Sequence, residues 1–191
     1  LLEMPNGDIK KLMNNDKNFS SDFIEEMFDY NGTPKTKNKL AHDLAGAINK
    51  LQESQRLRVN EFGGGIFARS DYVTKQYHDA FKMLKAGKEK WVVDGQKHLD
   101  YEKTKAQILY NLKAKGVLID EKKFDMNKYL GKAYDQMTVK SSKDGLILDS
   151  LHVKRTLAFK DSDSLIRYNK IYGHTNMANS IFENMTMMDN H

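Results

Sequence analysis

Pro5 and Pro34 are the only prolines in 191 residues, so nothing beyond position 34 carries a ring that removes a backbone donor and fixes φ. Long uninterrupted helices are permitted over most of the chain. The apolar spacing fills that permission. From Thr36 onward Leu40, Leu44, Ile48, Leu51, Gln55 and Val59 step by three or four, while Lys37, Asn49, Gln52 and Arg56 take the other side; this predicts one helix of about 24 residues. Ala41, Ala45, Gly46 and Ala47 would let a neighbouring element approach it closely.

Residues 1–35 carry four Lys/Arg against seven Asp/Glu, and Asn6-Gly7, Asn14-Asn15 and Asn31-Gly32 are turn signals. They read as an N-terminal arm. Within it Asp22 precedes Glu25 by three residues, and Phe23, Met27 and Tyr30 recur at helical spacing, predicting a short helix over about 21–30. Gly32-Thr33-Pro34 separates the arm from a helical domain over 36–191, in which Gly63-Gly64-Gly65 forms a hinge.

Downstream, Tyr77, Phe81 and Leu84 mark one helical stripe, and Trp91, Val92 and Leu99 extend the apolar anchoring past Gly87 and Gly95. Tyr101, Ile108, Leu109 and Leu112 mark another before Gly116; Phe124, Tyr129, Leu130, Ala133, Tyr134 and Met137 mark a third. Leu146-Ile147-Leu148 and Leu157-Ala158-Phe159 are short apolar runs of a different period, as in a hairpin. Ser162 then caps a helix with Leu165, Tyr168, Ile171 and Tyr172, closed by Gly173. Met177, Ile181, Met185 and Met188 form the face of a last one, and that apolar, adaptable stripe is a candidate partner-binding surface. The expected fold is mainly α: a multi-helix assembly with a short β-hairpin near 145–160.

Composition narrows the function classes. The chain has no Cys, which excludes disulfide scaffolds, thiolate nucleophiles and Cys-ligated zinc. Mean hydropathy is -0.71, and no stretch approaches the ~18 apolar residues of a membrane span. Six His make no metal-spaced pair, the glycines lack phosphate-loop spacing, and no Gly-x-Ser-x-Gly elbow occurs. The expectation is a non-enzymatic chain without a cofactor. Beginning at Leu1 and ending at His191 without a Gly or Pro stop, it reads as a fragment of a longer protein.

The net charge of +5 is spread along the chain, and five of the 31 basic residues are Arg. Its densest cluster is Lys82, Lys85, Lys88, Lys90 and Lys97, interleaved with Phe81 and Trp91. Such a mixture could join phosphate contacts to base stacking by Trp91, which makes DNA an alternative partner. The competing reading is a solvated helix face above a buried aromatic.

The run Arg155-Thr156-Leu157-Ala158-Phe159-Lys160-Asp161, the helix carrying Leu165 and Tyr168, the Tyr172-Gly173 turn and the helix opened by Asn176 resemble a stretch of very large phage virion proteins. Upstream, the glycine loop, Tyr77-His78-Asp79, Ala86-Gly87, Trp91 and Leu99-Asp100 agree in order, so the resemblance covers roughly 60–191. It implies a mostly helical internal virion, or ejection, protein, carried in the virion and delivered with the genome to the host envelope or cytoplasm. Its implied partners are other virion proteins or further copies of itself. Enzymes attached to such chains leave no trace here: the combination of a Glu-Ser pair and a downstream Gly-Leu-Met-Gln-like stretch, typical of lytic transglycosylases, is not present.

Overall fold

The computed structural model describes residues 15–63, 68–73, 78–114, 116–138 and 156–173, together with 177 and 181. Among them are seven α-helices: α1 (Lys17–Met27), α2 (Lys39–Glu61), α3 (Ala80–Ala86), α4 (Lys88–His98), α5 (Tyr101–Ala114), α6 (Met126–Thr138) and α7 (Ser162–Tyr172). A 3-10 turn spans Glu121–Lys123. The protein is mainly helical, as expected. It divides into two compact units, Leu1–Lys75 with Asn176–His191, and Gln76–Thr175.

In the first unit, α1 begins where the Asp16 carboxylate accepts from the backbone N–H groups of Asn18 and Phe19, a side-chain cap for donors the helix cannot satisfy. The expected start at Asp22 is therefore several residues late. Asp22 instead accepts from the Asn38 side chain at 3.1 Å, and Asn38 itself caps α2 through Ala41 N–H. The expected helix α2 forms over 23 residues, but its stripe is buried only in the first half, at Leu44 and Ile48; Leu51 and Gln55 are half-buried and Val59, expected on the same face, is 46% exposed. Phe19, Phe23, Ile24 and Met27 of α1 and Ala41, Leu44, Ala45 and Ile48 of α2 are buried, and the two helices pack. Gly46 gives Tyr30 room to lie against α2: a Cβ would stand 2.6 Å from the Tyr30 hydroxyl, which would have to shift.

The connection between α1 and α2 is fastened by one buried carboxylate. Glu26 is 0% exposed and accepts from Lys35 N–H (2.9 Å), Thr36 N–H (2.6 Å) and the Thr36 hydroxyl (2.8 Å), and meets His42 Nδ1 at 2.9 Å. The boundary expected at 35/36 thus falls inside this unit. Of the expected glycine hinge, Gly63 ends α2 with φ +86; 64 and 65 lie outside the described residues.

The second unit forms around α4. Gly87, at φ +84, ends α3 and starts α4 in one residue, which glycine tolerates in that region of backbone space. Gly95 lets α6 approach: a Cβ would lie 3.1 Å from Leu130 Cδ1. Trp91, Met83, Leu99, Ile108, Leu130, Leu165, Tyr168 and Tyr172 fill the interior. Phe81 and Leu84, expected in the stripe of α3, are 86% and 54% exposed. The seven-residue helix buries Met83 instead.

Two isolated antiparallel bridges, His78 with Gly173 and Leu99 with Phe159, tie chain segments across the unit. Around the second, Asp100 N–H donates to Ala158 C=O (3.0 Å), Lys160 N–H to His98 C=O (3.1 Å), and Ala158 N–H to the Thr104 hydroxyl (3.0 Å). The second run of the expected hairpin, Leu157-Ala158-Phe159, is thus buried as a non-helical segment paired to the α4–α5 corner. Its first run lies outside the described residues.

Candidate functional site

Trp91 decides how the lysine cluster is read. Its ring is 1% exposed, and its indole N–H donates to the Tyr168 hydroxyl at 2.9 Å. It is a core residue and offers no face to a base, so the stacking role expected of it is corrected. Burial of Trp demands a partner for its one donor, and Tyr168 supplies it.

Three of the five lysines are held by the protein itself. Lys82 Nζ donates to Gly173 C=O at 2.7 Å, Lys88 Nζ meets Asp135 Oδ2 at 2.5 Å, and Lys90 Nζ meets Asp94 Oδ2 at 2.8 Å. Lys85 and Lys97 are exposed and make no ion pair among the described residues. What the tertiary structure does gather is a different set. Between α4 and α6 lies a shallow groove of about 580 Å³ lined by Lys88, Glu89, Val92, Val93, Asn127, Lys128, Gly131 and Lys132. Gly131 makes room for Lys88, since a Cβ there would stand 3.0 Å from Lys88 Cε. Lys128 and Lys132 are about forty residues from Lys88 in sequence, and only the pairing of α4 with α6 unites them.

Beneath that surface runs a polar network through the aromatic core. The Tyr168 hydroxyl meets His78 Nε2 at 2.9 Å, and the Tyr172 hydroxyl donates to Asp94 Oδ2 at 2.6 Å. The Tyr168 ring lies 5.1 Å from Tyr172 and 5.2 Å from Phe159. Burial pushes both phenols above their ordinary range, so each stays protonated and donating at neutral pH. Burial alone would raise Asp94, but the hydrogen bonds from Lys90 and Tyr172 outweigh it and hold the carboxyl below its usual range. His98 is 5% exposed; burial, with Lys97 beside it, lowers its pKa. The Trp91–Tyr168 and Asp94–Tyr172 hydrogen bonds join α4 to α7.

No group of three His, Asp or Glu able to hold a metal ion occurs among the described residues. Glu53, the glutamate followed by Ser54, is half exposed on α2 and accepts both Arg56 Nε and Nη2 at 2.7 Å.

The methionine stripe is placed differently from expectation. Met177 is 5% exposed and Ile181 0%, so both are core residues and present no surface to a partner; Met185 and Met188 lie outside the described residues. Apolar side chains that do face solvent are Leu57, Val59 and Phe62 (86% exposed) at the end of α2 and Phe81, Leu84 and Val93 on α3 and α4; the sequence spacing puts Val59, Phe81 and Leu84 on stripes expected to be buried and does not mark Leu57, Phe62 or Val93. No described helix is long and apolar enough to cross a membrane. Comparison with known proteins finds no matching family model, no matching curated protein and no matching solved structure.

Proposed function

We propose that this chain is a non-enzymatic assembly segment of a phage internal virion, or ejection, protein, packing against other virion proteins or further copies of itself during genome delivery. The observation that supports the packing role is the exposure of large apolar side chains at the end of α2 and on α3, Phe62 and Phe81 each at 86%. Large apolar groups displayed on rigid elements mark surfaces that bind. The virion setting rests on the resemblance of the 155–173 run. That run forms the Asp161-capped helix α7, and Leu165, Tyr168 and Tyr172 of it are buried.

Sedimentation velocity over a wide concentration range tests the packing role. The 191-residue chain is expected to associate, and the doubly substituted Phe62→Ser, Phe81→Ser chain to remain monomeric. A wild-type chain that stays monomeric and binds no virion component contradicts the proposal.

A DNA-binding module is the second reading, favoured by the gathering of Lys88, Lys128 and Lys132 at one groove. It predicts salt-dependent retention on duplex DNA, lost in the Lys88→Glu, Lys128→Glu, Lys132→Glu chain. Retention unaffected by those three changes would sink it.

A further inference from the structure

The α5 helix ends in a hydrogen-bonding pattern that aims three consecutive apolar residues outward. Gly116, at φ +73, takes the left-handed conformation; its N–H donates to Lys113 C=O and Val117 N–H donates to Leu112 C=O, each at 3.0 Å. These two bonds are the Schellman closure of a helix. On the far side, Asp120 Oδ1 accepts from Lys122 N–H at 3.0 Å and starts the 3-10 turn. Between these clamps Val117, Leu118 and Ile119 are 41%, 99% and 38% exposed. The tip is held away from the core at both ends, so its exposure is a feature of ordered backbone.

We infer that the Val117–Ile119 tip inserts into the interfacial layer of an anionic lipid bilayer. Size argues against a protein partner as the occupant. Three side chains at these exposures offer roughly 300 Å², well short of the ~800 Å² per partner of a standard protein interface. A convex apolar point needs no complementary pocket in a bilayer, where side chains settle at the boundary of headgroup and acyl chain. Charge argues the same way. Lys113 and Lys122 are exposed on the two sides of the tip, placed to meet anionic headgroups as the apolar residues enter, opposed by exposed Glu121 alone once Lys123 and Asp120 are paired. The acids nearby are Asp120, Glu121 and Asp125. Asp120 is engaged in the turn and with Lys123 at 3.5 Å, and Asp125 caps α6 through Asn127 and Lys128 N–H. Tyr110, 41% exposed within two turns of the helix end, is the residue type that anchors at a membrane interface. This inference stands apart from the virion reading, because it requires only a lipid surface.

Flotation of the 191-residue chain with vesicles tests it, comparing phosphatidylcholine alone with phosphatidylcholine containing one third phosphatidylglycerol. Binding to the anionic vesicles is expected to fall at least tenfold in Leu118→Asp and severalfold in Lys122→Glu, Lys123→Glu, and to weaken between 50 and 500 mM salt. Leu118 is fully exposed, so Leu118→Asp should unfold at the same urea concentration as wild type. In Leu118→Trp, brominated lipids should quench the new indole while the buried Trp91 stays silent. No binding to anionic vesicles, equal binding by wild type and Leu118→Asp, or equal binding to neutral vesicles would overturn the inference. So would a wild-type dimer that Leu118→Asp dissolves, which would make a second copy the occupant.

Discussion

Single residues hold this protein's irregular joints. Glu26 collects two backbone N–H groups, a hydroxyl and a His ring at the turn between α1 and α2. Its replacement by Ala leaves those part-buried groups without their acceptor, so Glu26→Ala is expected to cost about 2 kcal/mol in urea unfolding. Gly173 closes α7 where a Cβ would stand 2.5 Å from the Asn169 carbonyl oxygen. Because that obstacle is backbone, it cannot swing aside, and Gly173→Ala should destabilise by about 2 kcal/mol. Neither role is written in the local sequence. Glu26 follows Glu25 on a short helix, with nothing local to mark it as buried, and its partners are nine to sixteen residues away. Gly173 was legible as a helix stop, though the close approach of Asn169 was not. Trp91 shows the same limit: the sequence permitted both a stacking and a core role, and only the hydrogen bond to Tyr168, 77 positions on, separates them.

At the scale of elements, the long apolar stripes were readable and the short ones were not. The 3.6-residue period of α2 predicts a helix of the observed 23-residue length and the buried face of its first half, through Leu44 and Ile48; beyond Leu51 no described element covers the stripe, and Val59 is exposed. The α3 helix has seven residues, too few turns for a period to emerge, and its buried residue is Met83, between Phe81 and Leu84. This yields a contrast that thermodynamics can check. Met83→Ala should cost about 3 kcal/mol by leaving a cavity, whereas Phe81→Ser should change stability by less than about 0.5 kcal/mol. Trp91 fluorescence during urea unfolding measures both. The groove of Lys88, Glu89, Lys128 and Lys132 was illegible for a related reason: these residues share one surface only because α4 packs on α6, where Gly95 lies so close that a Cβ would stand 3.1 Å from Leu130 Cδ1.

Over the whole molecule, the two units differ in how acid affects them. In the second unit His98 is buried with its pKa below the ordinary 6.5. A group with a lowered folded pKa binds protons more readily when unfolded, so its stabilisation is complete above 6.5 and drains away as the pH falls below it. In the first unit burial would raise Glu26, but its hydrogen bonds from His42, Thr36 and Lys35 hold it below the ordinary 4.5, and its contribution is lost only below that value. Trp91 is the chain's only tryptophan and lies in the second unit, so its emission reports that unit. Its urea midpoint is expected to fall between pH 7 and pH 5, and the change should be smaller in His98→Gln. A midpoint constant over that range would contradict the role given to His98. If virion proteins or further copies of this chain cover the exposed apolar surfaces, cross-linking mass spectrometry on purified particles detects them. Cross-links are predicted from Lys82 and Lys85, beside Phe81, to other virion proteins or to a second copy of this chain. Particles lacking the chain, or holding it with intrachain cross-links alone, would contradict the account.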